Sequence, residues 1–162
     1  MKETNMKLGL FFIVLSLTLF VSACGDSGND EAADFNKTKT VSANPNGLTD
    51  FEMENGIGPV KQKLEFGPID PQLVKKGETI FAQKCASCHK LDEKYVGPAQ
   101  RDLIKRRTPE YIINMMSNPE EMYKRHPEAK KLLAQYLTQM PNQNLTFEDA
   151  RAILEYFREV GK

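Results

Sequence analysis

The hydrophobic positions fall into three regimes. Leu8 to Phe20 is an apolar run broken only by Gly9, Ser16 and Thr18, while Gly25 to about Asn55 has few apolar residues and no period. From Asp70 onward apolar residues recur at helical spacing. Asp70-Pro71 reads as an N-cap with proline in the first helical position. The helix it opens is expected to run to about Gln83, with Leu73, Val74, Gly77, Ile80 and Phe81 on one face. Gly77 in that face predicts a second helix in close approach.

Thr108-Pro109-Glu110 signals another start, with Tyr111, Ile112, Met115 and Met116 on or near its buried face. Asn118-Pro119 opens a further short piece, and Pro127 a third through Leu132, Leu133 and Tyr136. Thr138 to Thr146 has no regular period and reads as a loop. Thr146-Phe147-Glu148-Asp149 resembles a capping box with aspartate in place of glutamate. The last helix then carries Phe147, Ala150, Ile153, Leu154 and Phe157 on one stripe, and Gly161 is a natural stop. That stripe is expected to close on the face bearing Gly77 and Phe81.

Composition narrows the class. In 162 residues, 22 basic side chains balance 22 acidic ones, so no basic field points to nucleic acid, and no recognition pattern for it is present. Three cysteines leave an odd thiol.

The chemistry concentrates in Cys85-Ala86-Ser87-Cys88-His89. Two thiols three positions apart suit addition to two vinyl groups on neighbouring pyrroles, and the adjoining imidazole is carried under the iron, so the motif predicts one covalently attached haem c with His89 as an axial ligand. Three other readings compete. A zinc site needs four ligands, and Cys88 and His89 are adjacent while His126 is distant. A thioredoxin-like pair wants a βαβ context that helical flanks do not supply. A Cys85–Cys88 disulfide closes a very tight ring and leaves His89 unexplained. His126, just before Pro127, reads as a solvent-facing histidine at a helix boundary, with iron ligation the less common alternative.

Residues Gly77 to His89 resemble the opening of a small single-haem class I cytochrome c, and the resemblance covers about 70–162. It implies an all-α cytochrome c fold, with helices packed around one covalently attached haem. It also implies that the glycine and the aromatic four residues later meet an aromatic on the last helix, for which Tyr156 and Phe157 are the candidates. In Tyr95-Val96-Gly97-Pro98 the resemblance gives Pro98 the carbonyl that accepts the ligand histidine's free ring N–H. A methionine in a loop shortly before a Leu-Thr helix start is the family's sixth ligand, and Met140 with Leu145-Thr146 matches that pattern. Met115, Met116 and Met122 are rivals, the first two at core spacing. Arg101, Lys105, Arg106 and Arg107 form a basic cluster, read either as a solvated or partner-docking face or as a source of one or two haem propionate partners. With no tryptophan, any propionate contact that residue makes in related cytochromes is made differently here.

The N-terminal regime supplies context. Lys2, Lys7 and the following apolar run read as a signal peptide over 1–23, with Met6 as an alternative start. Val21-Ser22-Ala23-Cys24 resembles a bacterial lipoprotein processing site, which makes Cys24 the lipidated first residue and accounts for the odd thiol. Residues 24–67 are expected to be a lipid-anchored flexible tether and connecting arm with a reach of about 35 Å, and 68–162 the cytochrome c domain. A soluble exported protein and an uncleaved anchor are the alternatives.

These readings combine into a monomeric, exported one-electron carrier, lipid-anchored to a bacterial membrane with its haem domain facing the periplasm and exchanging electrons with other redox proteins. With His89 and Met140 both on iron no position is open for substrate. A haem enzyme or gas sensor with an open sixth position, or a fixed electron-entry subunit of a membrane respiratory complex, are the other classes. Tyr95-Val96-Gly97-Pro98 together with Thr138-Gln139-Met140 and Asn142-Gln143-Asn144 also resembles anchored cytochromes that accompany nitrous-oxide reductase in some bacteria.

Overall fold

The structure, a computed structural model, describes residues 45–162. The expected signal peptide, Cys24 and the expected tether up to residue 44 lie outside the described residues. Among those described, the regular elements are all helices: α1 (Asp50–Asn55), α2 (Pro71–Lys84), α3 (Leu103–Arg106), α4 (Pro109–Ser117), α5 (Pro119–Arg125), α6 (Pro127–Tyr136) and α7 (Phe147–Val160). None is long and apolar enough to cross a membrane.

The helix starts follow the local chemistry of the sequence. Asp70 caps α2 by accepting from the backbone N–H groups of Gln72 and Leu73, and Thr108 caps α4 by accepting from Tyr111. Each has proline in the first turn, where a missing N–H costs nothing. At α7 only half of the expected capping box forms. Thr146 accepts from the Asp149 N–H at 3.1 Å, but the Asp149 carboxylate reaches across to Lys76 on α2 at 2.9 Å.

The core is built where α7 crosses α2. Gly77 is buried there, and a β-carbon on it would overlap the Ala152 carbonyl group. Phe81, one turn on, packs against both Tyr156 and Phe157 with ring centroids 5.7 Å apart in each case. The buried face of α7 is broader than the single stripe expected, taking in Ala152, Glu155 and Tyr156 as well. Phe147, expected in that stripe, is instead 45% exposed at the first helical position of α7. Glu155 is buried as an ion: Arg151 (2.5 Å) and Arg158 (2.9 Å) neutralise it, and it accepts from the Asp70 backbone N–H at 2.9 Å. Burial pushes its carboxyl up, but these partners outweigh burial and hold it below the ordinary range.

The connecting arm is not a loose tether over residues 47–67. Thr49 and Glu52 form a complete reciprocal capping box for α1, and Leu48, Ile57 and Val60 are buried against the domain. The folded body therefore begins about twenty residues before the expected boundary at 68. A single buried side chain does most of the fastening. Asn114 on α4 donates to the carbonyls of Asn55 and Val60 at 2.9 and 3.1 Å and accepts from the Val60 N–H at 2.8 Å. Gly58 lies so close that a β-carbon would stand 2.8 Å from the Asn114 α-carbon.

Candidate functional site

The end of α2 turns back tightly on itself. The N–H groups of both Cys88 and His89 donate to the Cys85 carbonyl, at 3.0 and 2.9 Å, which gathers two free thiols and one imidazole on a single turn. All three side chains line a cavity of about 380 Å³, within the roughly 300–1,000 Å³ of sites that enclose a ligand. Burial pushes the Cys85 thiol up to about 11, so it stays protonated at neutral pH, unlike the activated thiol of a dithiol redox catalyst. Among the described residues no three His, Cys, Asp or Glu side chains gather as metal ligands in the manner of a zinc site.

His89 is held in one orientation from its Nδ1 side. Nδ1 lies 3.1 Å from the Pro98 carbonyl oxygen, the position expected for Pro98 from the resemblance. Gly97 explains how the two segments come so close, since a β-carbon there would stand 2.8 Å from His89 Nδ1. Burial lowers the affinity of the ring for a second proton, more than the Pro98 bond raises it, so the imidazole is neutral, as a metal ligand must be.

The loop between α6 and α7 brings Met140 to the lining of the same cavity. Its backbone N–H donates to the Tyr123 hydroxyl on α5 at 2.9 Å. Of the rival methionines, Met115 and Met116 also line the cavity, whereas Met122 is fully buried elsewhere and its Sδ accepts from the Ile57 N–H at 3.0 Å. His126 is neither solvent-facing nor part of the cavity. It is fully buried at the start of α6, its Nδ1 accepting from the Glu128 N–H at 3.2 Å and its Nε2 facing the Met53 carbonyl at 3.2 Å. A histidine before a proline reads as surface in the sequence, and the only local signal for α1, which covers it here, is Thr49 and Glu52 at capping-box spacing.

The basic cluster divides in two. Arg101 pairs with Asp92 and donates to the Val160 carbonyl, and Lys105 faces Asp102, both away from the cavity. Arg106 and Arg107 line it. Arg106 is anchored on the Ala99 carbonyl at 2.7 Å; Arg107 lies over the Tyr111 ring and pairs with Glu128 at 3.0 Å. Gln100 was missed altogether: it is 6% exposed and its side-chain nitrogen lies 2.6 Å from the Pro98 carbonyl oxygen. Nothing in the spacing of Gln100 announces that contact.

The donor set fits a c-type haem. Two free thiols for the vinyl groups, a neutral imidazole between them and the Pro98 carbonyl, cavity walls carrying apolar and thioether side chains, and two guanidinium groups for carboxylates match that macrocycle part by part.

Comparison with known proteins agrees. The family model for cytochrome c matches residues 74–161. No curated protein matches the chain. Among solved structures, cytochrome c from Rhodothermus marinus is 48% identical, with a TM-score of 0.65 over 68% of this chain and 95% of its own. An engineered form of that protein, bound to a carbene intermediate, is 47% identical, with a TM-score of 0.62 over 68% of this chain and 96% of its own. With the motif, the cavity and this likeness in agreement, the chain belongs to the cytochrome c family, binding one covalently attached haem c and sharing the family's general role in electron transfer.

Proposed function

We propose that this protein is a lipid-anchored, exported one-electron carrier whose haem is held by Cys85 and Cys88 and ligated by His89 and Met140. The observation that carries this reading is that a neutral, oriented His89 and the loop-borne Met140 line one cavity. When bound, the haem supplies a one-electron redox centre, and a thioether ligand favours its reduced state. The protein's own residues keep that centre from rearranging. Pro98 fixes the His89 ring, Tyr123 pins the backbone of Met140, and Arg106 and Arg107 are placed to meet the propionates. Phe81, Leu103, Ile112, Leu132 and Phe157 supply apolar wall, which limits water around the redox centre.

The test is spectroscopic. Met140→Ala should abolish the methionine-to-iron charge-transfer band, while Met115→Ala and Met116→Ala should keep it; survival in the first and loss in either of the others would reassign the ligand. A second reading, an open sixth position, draws on the engineered Rhodothermus marinus relative bound to a carbene intermediate. A five-coordinate high-spin spectrum or ready carbon monoxide binding by the native protein would favour it.

Anchoring follows from Cys24 and its preceding Val21-Ser22-Ala23, with the haem domain on the periplasmic side and the protein a monomer. Cys24→Ser should release the protein from membranes. The partners are other redox proteins, with nitrous-oxide reductase as the specific acceptor we would try first. Stopped-flow mixing in which the reduced protein is not oxidised by that enzyme would exclude it.

A further inference from the structure

We propose that Gln100 sets the midpoint potential of this protein by sharing the Pro98 carbonyl with His89. The inference rests on His89 ligation as proposed above and adds to it a residue that touches the ligand without touching the iron.

Three atoms form a closed triangle behind the imidazole. The Pro98 oxygen lies 3.1 Å from His89 Nδ1 and 2.6 Å from Gln100 Nε2, and the two nitrogens are 2.9 Å apart. The amide nitrogen of Gln100 faces the Pro98 carbonyl, since its own oxygen in that place would meet the Pro98 oxygen at 2.6 Å. Its backbone is held too, the Gln100 N–H donating to the carbonyls of Lys90 and Leu91 at 3.0 and 3.1 Å. The side chain is therefore a fixed donor, buried at 6% exposure.

A metal on Nε2 of His89 requires the proton on Nδ1, which then donates to Pro98. The two nitrogens stand only 2.9 Å apart, too close for each to take a lone pair of its own, so they share one region of the Pro98 oxygen. Two donors on one acceptor compete for the same electron density, so the amide of Gln100 weakens the pull of Pro98 on the Nδ1 proton. The imidazole keeps less imidazolate character and is a poorer donor to the metal. The positive end of the amide dipole points at the same place. Both effects disfavour the oxidised state and raise the potential. An apolar side chain of similar size would fill the position without the cost of burying an amide.

The test uses the haem-bearing protein. Its native spectrum is read first, and absence of His/Met coordination there would remove the ligation reading and the role of Gln100 with it. In Gln100→Leu the haem should stay attached and the charge-transfer band unchanged, while the midpoint falls. At fixed poise the oxidised-to-reduced ratio should rise several-fold, tenfold corresponding to about 59 mV for one electron. Gln100→Glu, which replaces the donor by an acceptor for the Nδ1 proton, should fall further. Native coordination with midpoints equal to or above wild type in both variants would overturn the proposal. A measurement on the native protein guards against failure to mature: in the reduced, diamagnetic state the Gln100 side-chain amide protons should exchange slowly and show contacts to the His89 ring. Rapid exchange would overturn it as well.

Discussion

Gly77 meets the Ala152 carbonyl with no room for a β-carbon, and the whole domain closes at that point. The added carbon of Gly77→Ala would also stand 2.5 Å from the Ala152 carbonyl carbon, a contact with backbone that no rotamer relieves. Alanine would gain about 1 kcal/mol of helix propensity on α2, but forcing the helices apart costs about 1–3 kcal/mol or more. Gly77→Ala should therefore lower the denaturant midpoint and loosen the Phe81 contacts with Tyr156 and Phe157. A midpoint at or above wild type would show that α2 and α7 separate freely.

The parts of the protein legible in the sequence are those whose chemistry is local. Cys85, Cys88 and His89 act as neighbours in the chain, and Asp70-Pro71 and Thr108-Pro109 cap the helices they precede, so short spacing rules reach them. Met140, proposed as the sixth ligand, is reached by the family resemblance as well as its loop position. Gln100 stands only two residues after Pro98, but the turn that brings its side chain to that carbonyl follows no period, and Tyr123 meets Met140 across a fold of the chain. The arm from Leu48 to Val60 is legible only in part: Thr49 and Glu52 stand at capping-box spacing, but its partners Asn114 and Met122 lie more than fifty residues away.

That arm gives a direct prediction. Asn114→Leu removes the donor to Asn55 and Val60 and the acceptor for the Val60 N–H, leaving buried backbone groups unpaired at about 1–3 kcal/mol each before relaxation. Hydrogen exchange at residues 55–60 should accelerate strongly, with exchange in α2 and α7 changing much less. Equal acceleration across both regions would mean that the arm and the α2–α7 core unfold as one unit.

Acid should act through His126. Its Nδ1 accepts from the Glu128 N–H, so a second proton would set two donors face to face. Burial is the main cause that lowers its proton affinity below the ordinary 6.5; the Met53 carbonyl and the carboxylate of Glu128 pull the other way, and Arg107 adds to the lowering. The Tyr111 ring stands edge-on beside it and Glu52 lies on the arm above. The unfolded chain thus binds more protons than the folded one just below 6.5, and stability rises with pH there. This contribution is complete above the unfolded value and is lost as pH falls below it. The chain has two histidines, and in the proposed coordination His89 is occupied as a ligand. Denaturant midpoints of the haem-bearing protein should fall between about pH 7 and pH 5, and His126→Asn should flatten that slope. An unchanged slope in the variant would assign it to other groups.

The Tyr123 hydroxyl accepts from the Met140 N–H at 2.9 Å and is the hydrogen bond that ties the backbone of the methionine itself to a helix. Around it the chain from Leu137 to Thr146 has no regular structure, and its other tie to a helix is the Lys84 ammonium on the Gln143 carbonyl at 3.0 Å. Tyr123→Phe keeps the ring in the cavity wall and deletes only the acceptor, a loss of about 0.5–1.5 kcal/mol. The consequence should be local: global unfolding shifts slightly, while the methionine charge-transfer band disappears at lower temperature and lower denaturant than in the native protein. Carbon monoxide should bind the reduced variant faster, because the loop carrying Met140 departs more often. If the band in Tyr123→Phe is lost at the same temperature and denaturant as in wild type, the loop is held by packing of the methionine side chain, and the Tyr123 hydrogen bond is incidental to ligation.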